Sequence, residues 1–131
     1  MEINKINEEL RRECPGKFIL QSFCQIERKL VVAFTCGGGP KEDYAYLITF
    51  NEAIIFHLPS VLYKPIRFKI AEKEKIKEII PSISYDEGEY CETGYKVVTI
   101  IDGNNKETGY YLAADSVSAE WVSRDKCIKV W

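Results

Sequence analysis

The stretch YKVVTIIDGNNKETGYYLAA, residues 95–114, decides the fold class of this chain. Residues 95–102 are rich in β-branched side chains, and residues 108–114 combine aromatic with small apolar ones, as strands do. Between them, the sequence Asp102-Gly103-Asn104-Asn105 is a turn signal, because Gly and Asn accept positive φ angles. The pattern predicts an antiparallel β-hairpin.

Further strands are predicted on both sides of this hairpin. A turn at Glu27-Arg28 and a loop at the triple glycine 37–39 separate the first three predicted strands. After Phe50, the chain either reverses in a tight hairpin at Asn51-Glu52 or continues as one long strand with a bulge. Residues 67–71 are either a strand or the lead-in to a helix. The clearer strand predictions are 17–26, 29–36 and 44–50, and residues 117–122 and 127–131 are candidates for two short final strands.

Two helices are predicted from apolar spacing. Ile3, Ile6 and Leu10 form one stripe over residues 3–13, and a second charged segment near 71–80 has its isoleucines on one face. Strands that cluster on both sides of one helical segment favour antiparallel pairing. We therefore predict an α+β fold with a mainly antiparallel, strongly curved sheet, or a small open barrel. A single domain over residues 1–131 fits the chain length.

The overall composition argues against several functional classes. The chain has 18 Lys and Arg, 20 Asp and Glu, and a net charge of −2, whereas nucleic-acid binding needs a basic face. No apolar run suits a signal peptide or a bilayer span. The five cysteines are odd in number and scattered, with no Cys-x-x-Cys pair. We predict a cytoplasmic protein without nucleic-acid or membrane partner, metal site or cofactor.

His57 and Cys36 are the main candidates for catalysis. The only histidine would be either the base of a Cys–His pair or a half-buried structural residue. Cys36 precedes the triple glycine, where a nucleophile would be exposed, but no helix follows to lower its pKa. The glycines also lack the Lys and Ser or Thr of a phosphate-binding loop. We therefore predict no catalytic residue and no enzymatic activity.

The segment YDEGEYCE, residues 85–92, is the most biased stretch of the chain. Its carboxylates lack the spacing of an EF-hand loop, and nothing sets two of them apart as general acid and base. A solvated loop and a protein-binding patch both fit, because acidic groups steer a basic partner and tyrosines supply contact area. We predict that the patch consists of Tyr85, Asp86, Glu87, Glu89, Tyr90 and Glu92.

Three functions follow in order of preference. The first is a non-enzymatic protein-interaction module with a basic protein partner, and a bacterial immunity-type protein that neutralises a toxin is one version. The second is a small-molecule binding domain or weak hydrolase, with a cavity inside the curved sheet. Tyr46 and Tyr110 would line that cavity, and Cys36 and His57 would be its polar groups. The third is a structural homodimer formed through an edge strand.

Overall fold

The structure, a computed structural model, describes residues 2–79 and 96–126. These residues form two α-helices, α1 (Ile3–Glu13) and α2 (Lys73–Ile79), nine strands and a 3-10 turn at Arg124–Lys126. The predicted strand at 127–131 lies outside the described residues. The strands are β1 (Lys17–Cys24), β2 (Lys29–Thr35), β3 (Tyr44–Asn51), β4 (Ile55–His57), β5 (Val61–Leu62), β6 (Ile66–Ile70), β7 (Lys96–Asp102), β8 (Glu107–Ala114) and β9 (Ser116–Ser123).

The strands assemble into two antiparallel sheets. Sheet A has the order β5-β1-β2-β3-β9, and sheet B has the order β4-β8-β7-β6. All the strand pairs within them are antiparallel. The predicted α+β class, with an N-terminal helix and a second helix within 71–80, is confirmed. Within the described residues the sheets are not closed into a barrel.

The hairpin that decided the fold class forms from β7 and β8. Its turn is held by the backbone N–H of Asp102, which donates to the Lys106 carbonyl at 2.9 Å. The Asp102 side chain accepts from the N–H groups of Asn104 and Lys106, and these bonds lower its pKa. Asn105 has a φ of 62°, the left-handed conformation that Asn tolerates. The predicted turn chemistry is confirmed.

Two bent segments of the chain, the arms, connect the sheets. One arm runs from β3 in sheet A to β4 in sheet B, and the adjacent arm runs from β8 in sheet B back to β9 in sheet A. Asn51 lies opposite Ser116 and Ile55 opposite Ala113, so three intervening residues on one arm face two on the other. This extra residue is a bulge, and Glu52, with a φ of 53°, lies in it. At Asn51-Glu52 the chain therefore does not reverse in a tight hairpin. It continues in the same direction through a bulge, and it bends there from one sheet into the other.

The inner faces of both sheets enclose one core. Phe68 from sheet B meets Phe34 and Phe50 from sheet A edge to face, with ring centroids 6.1 and 5.6 Å apart. Such pairs add about 0.5–1.5 kcal/mol beyond the area that they bury. The fully buried side chains that surround them are Phe18, Leu30, Val32, Ile48, Val98, Ile100 and Leu112.

Helix α1 covers one side of the two sheets. Its predicted stripe of Ile3, Ile6 and Leu10 is buried in the core. Asn7 exchanges two hydrogen bonds with the backbone of Phe68 in β6, at 2.7 and 2.9 Å. On the other flank of the stripe, Glu9 accepts a hydrogen bond of 2.6 Å from Nε1 of Trp121 in β9. The helix thus joins the edge strand of sheet B to that of sheet A.

Helix α2 packs on the outer face of sheet B. Its half-buried Ile76 contacts the small second cluster formed by Ala71, Val97 and Ala113. The exposed face carries an ion pair between Lys75 and Glu78, with 3.1 Å between Nζ and Oε2. A helix of seven residues is not stable alone, so this apolar contact holds it in place.

Candidate functional site

His57 lies exposed at the end of the edge strand β4. Its ring lies 5.6 Å from that of Tyr110 and 5.8 Å from that of Tyr111, measured between centroids. The structure describes no hydrogen bond to either ring nitrogen. His57 is therefore exposed on an edge strand and not half-buried as expected.

Cys36 directly follows β2 and is buried, with 7 % of its surface exposed. Its Sγ lies 3.8 Å from the carbonyl oxygen of Glu13 at the end of α1. Burial raises the pKa of the Cys36 thiol; the negative charge of Glu13 adds to the rise and Arg124 partly offsets it. A raised pKa keeps the sulfur protonated near neutral pH, and a protonated thiol is a poor nucleophile.

The fold does not bring Cys36 and His57 together. Cys36 borders sheet A beside Glu13 and Arg124, whereas His57 belongs to sheet B beside two tyrosines. A nucleophile and its base must lie within hydrogen-bond reach, and the contacts of these two residues are separate sets. The residues singled out for catalysis thus do not form a pair.

The two tyrosines expected to line an internal cavity have different surroundings. Tyr46 is buried in the core, where its ring packs on that of Trp121 with 4.9 Å between centroids. Tyr110 instead borders a surface cleft of about 200 Å³ with Lys75, Glu78 and Tyr111. Tyr46 and Tyr110 therefore lie in different surroundings.

The predicted partner-binding patch lies outside the described residues. It comprises Tyr85, Asp86, Glu87, Glu89, Tyr90 and Glu92. The described residues that flank it belong to sheet B and its covering helix: α2 ends at Ile79, and Lys96 begins β7 opposite Ala114. Along the chain, the patch therefore lies between a helix that packs on sheet B and a strand that belongs to it.

Neither a metal centre nor a membrane span is found in residues 2–79 and 96–126. In that part of the chain, no group of three or more His, Cys, Asp or Glu side chains is arranged to hold a metal ion. No helix there has the length and the apolar character needed to cross a bilayer. The thiols of Cys14, Cys24 and Cys36 are free.

A cleft that sequence reasoning missed lies at one end of sheet A. It has a volume of about 340 Å³ and combines two cationic side chains, Lys17 and Arg124, with the exposed ring of Tyr63. The remaining lining residues are Gly16, Ile19, Thr35, Cys36 and Gly37. No local pattern connects Lys17, Tyr63 and Arg124 in the sequence, so only the folded sheet brings them together.

The side of the sheets opposite α1 is bordered by the edge strands β4 and β5. There the ring of Phe23 in β1 contacts that of Phe56 in β4, with 4.9 Å between centroids. The edge strands on this side are β5, with two residues, and β4, with three. Phe23 and Val61 are 39 % and 38 % exposed, so this side is apolar but offers little strand edge.

The comparisons with known proteins give no relative for this chain. Protein-family models, curated proteins and solved structures were each searched, and none matches. Functional proposals therefore rest on the residues and their geometry alone.

Proposed function

We propose that this protein is a non-enzymatic protein-binding module whose partner presents a basic surface to residues 85–92. The observation that carries the proposal is the composition of that segment: Asp86, Glu87, Glu89 and Glu92 lie within eight residues that contain no Lys or Arg. Carboxylates at this density attract a basic surface and accelerate its encounter, and the tyrosines supply contact area.

The described structure supports binding over catalysis. Cys36 is buried, and its pKa is raised by burial, so it is unsuited to act as a nucleophile. His57 is in the other sheet, next to tyrosines. On the described flanks of the acidic segment, Ile76 of α2 packs against the cluster that contains Val97 of β7. Binding residues are often carried by connecting segments between packed elements.

An immunity-type protein of the bacterial cytoplasm is our specific version of this proposal. In this role, the acidic segment would cover the basic active site of a toxin and so exclude its substrate. The exposed free thiols of Cys14 and Cys24 support a reducing compartment, because exposed cysteines in oxidising compartments tend to be paired.

Charge reversal tests the proposal. A tagged protein is used to capture binding proteins, and the affinity of each is measured for the wild type and for a variant with Asp86, Glu87, Glu89 and Glu92 all changed to Lys. We expect at least about a hundredfold weaker binding of the partner, and an affinity that falls steeply as salt is added. The matched control reverses four exposed acidic residues elsewhere: Glu8, Glu42, Glu107 and Glu120.

Two results would contradict this proposal. One is a partner that binds the charge-reversed variant as tightly as the wild type. The other is equal weakening by the control variant, which would assign the effect to net charge and not to residues 85–92.

Edge-strand dimerisation, the third function considered, has less support. Adding a strand requires a row of unpaired backbone groups. The edge strands β4 and β5 have only three and two residues, and Asn7 of α1 bonds to the backbone of Phe68 in the edge strand β6. The edge that would have to pair is therefore that of β9, which has eight residues. We expect a monomer when mass is measured in solution by light scattering at about 100 μM. A concentration-independent dimer would restore the structural-subunit alternative.

A further inference from the structure

We propose that the cleft at the end of sheet A binds a small organic carboxylate with an apolar body. The cleft is formed where β1 begins and β2 ends, and Arg124 closes it from the 3-10 turn after β9. Its volume of about 340 Å³ lies within the range of ligand pockets in proteins. This inference is independent of the acidic segment and of its partner.

The charge of the cleft favours an anion. Lys17 and Arg124 are the charged residues in its lining, which contains no Asp or Glu. The acidic side chain described near Cys36 is that of Glu13, and it pairs with Arg12 at 3.7 Å. The two cations therefore face the cleft without a lining carboxylate to neutralise them, so an anionic ligand gains from both.

Arg124 is held in place by two hydrogen bonds. One Nη donates to the carbonyl oxygen of Cys36 at 2.8 Å, and the backbone N–H donates to the carbonyl of Asp43 at 3.1 Å. Its Nε is enclosed, so a ligand in the cleft would contact the Nη end of the side chain. A guanidinium fixed in this way is prepared to hold a carboxylate with little loss of entropy.

The rest of the lining favours an apolar ligand body. Ile19 is fully buried beneath the cleft, and Cys36 contributes an uncharged thiol because burial raises its pKa. Tyr63 is 75 % exposed, and Nζ of Lys17 lies 5.4 Å from the centre of its ring. One guanidinium and one ammonium next to apolar walls suit an anionic group on an apolar body.

The glycines of the cleft provide the test. In a ¹⁵N-labelled sample of the full chain, the amides of Gly16 and Gly37 report on this cleft, and those of Gly103 and Gly109 report on other sites. We expect 4-phenylbutyrate to shift Gly16 and Gly37 in a saturable way. The neutral amide of the same compound should bind at least about tenfold more weakly, because it lacks the charge.

Variants assign the effect to named side chains. We expect Arg124→Gln to weaken 4-phenylbutyrate binding about tenfold or more, and Lys17→Gln to weaken it by a smaller factor. Arg67→Gln is the matched control, since Arg67 also donates to a loop carbonyl, that of Gly103, but lines a different cleft. It should leave binding unchanged.

Three results would overturn the proposal. The first is the absence of saturable shifts at Gly16 and Gly37. The second is equal binding of the acid and its amide, or tighter binding of phenyl phosphate. The third is equal affinity in wild type and Lys17→Gln, a variant that keeps the proposal testable if Arg124→Gln does not fold.

Discussion

The side of the two sheets that α1 covers and the side opposite it are held together by different contacts. On one side α1 inserts an apolar stripe into the core and bonds to both edge strands, through Asn7 to β6 and through Glu9 to β9. On the other side, the described contact between the sheets is one of aromatic rings, between Phe23 and Phe56. The first side is stabilised by apolar burial and hydrogen bonds together. On the second side, the edge strands are too short for a strand of another chain to pair with them.

The largest expected difference between the two sides concerns apolar burial. Ile6→Ala removes a side chain that is 4 % exposed, and we expect it to lower the free energy of unfolding by about 2–5 kcal/mol. Val61→Ala, on the opposite side at 38 % exposure, should cost less than about 1 kcal/mol. Urea unfolding followed by tryptophan fluorescence measures both. Equal losses would mean that α1 adds no more stability than an exposed edge does.

The next difference concerns the hydrogen bonds of Asn7. Asn7→Ala leaves the N–H and C=O of Phe68 without their partner on the covered side, and we expect a loss of about 1–3 kcal/mol. Asn4→Ala is the matched control, because Asn4 is exposed on the same helix. It should change stability by less than about 0.5 kcal/mol. A loss no greater than that of the control would show that these two bonds do not hold α1 on β6.

The smallest difference is one that depends on pH. The hydrogen bond from Arg12 lowers the pKa of the Glu9 carboxyl below its ordinary value of 4.5; partial burial opposes this, and the bond from Trp121 adds to it. A lowered pKa means that folding favours the charged form. The stabilisation is therefore present above about pH 4.5 and is lost as pH falls through the folded-state pKa.

Glu9→Gln tests this contribution. The amide oxygen still accepts from Trp121, but the charge is gone, so we expect a loss of less than about 1 kcal/mol at pH 7. The difference from the wild type should shrink towards zero below about pH 4.5, the ordinary value for Glu. Urea unfolding of both proteins across pH 3–7 measures it, with Glu8→Gln as control. A difference that stays constant over this range would exclude the charge of Glu9 as its source.

Sequence patterns predicted the features that depend on neighbouring residues. The hairpin turn at Asp102-Gly103 and the stripe of Ile3, Ile6 and Leu10 follow from side chains close together in the chain. For the bend after Asn51 the sequence allows both a hairpin and a bulged strand. A bulge is defined by the opposing strand, which follows some sixty residues later. The preferences of neighbouring residues determine where helices, strands and turns form, whereas pairing between distant strands determines where a strand bends.

The cleft and the anchors of α1 were not predictable in this way. Lys17, Tyr63 and Arg124 become neighbours only because β1, β5 and β9 belong to one sheet. Asn7 and Glu9 appear in the sequence as ordinary polar positions of an amphipathic helix, and their partners Phe68 and Trp121 are distant. The environment of Cys36 was equally hidden, because its burial comes from the end of α1 and from Arg124.

The pairing of β9 with β3 has a consequence for how the chain folds during synthesis. Helix α1 is made first, yet Trp121, which bonds to Glu9, belongs to the last described strand. Until residues 116–123 leave the ribosome, β3 has an unpaired edge and α1 lacks its hydrogen bond to β9. Long-range pairing of this kind slows folding. We expect nascent chains that end before residue 116 to remain sensitive to protease, and release of β9 to convert them to a resistant form.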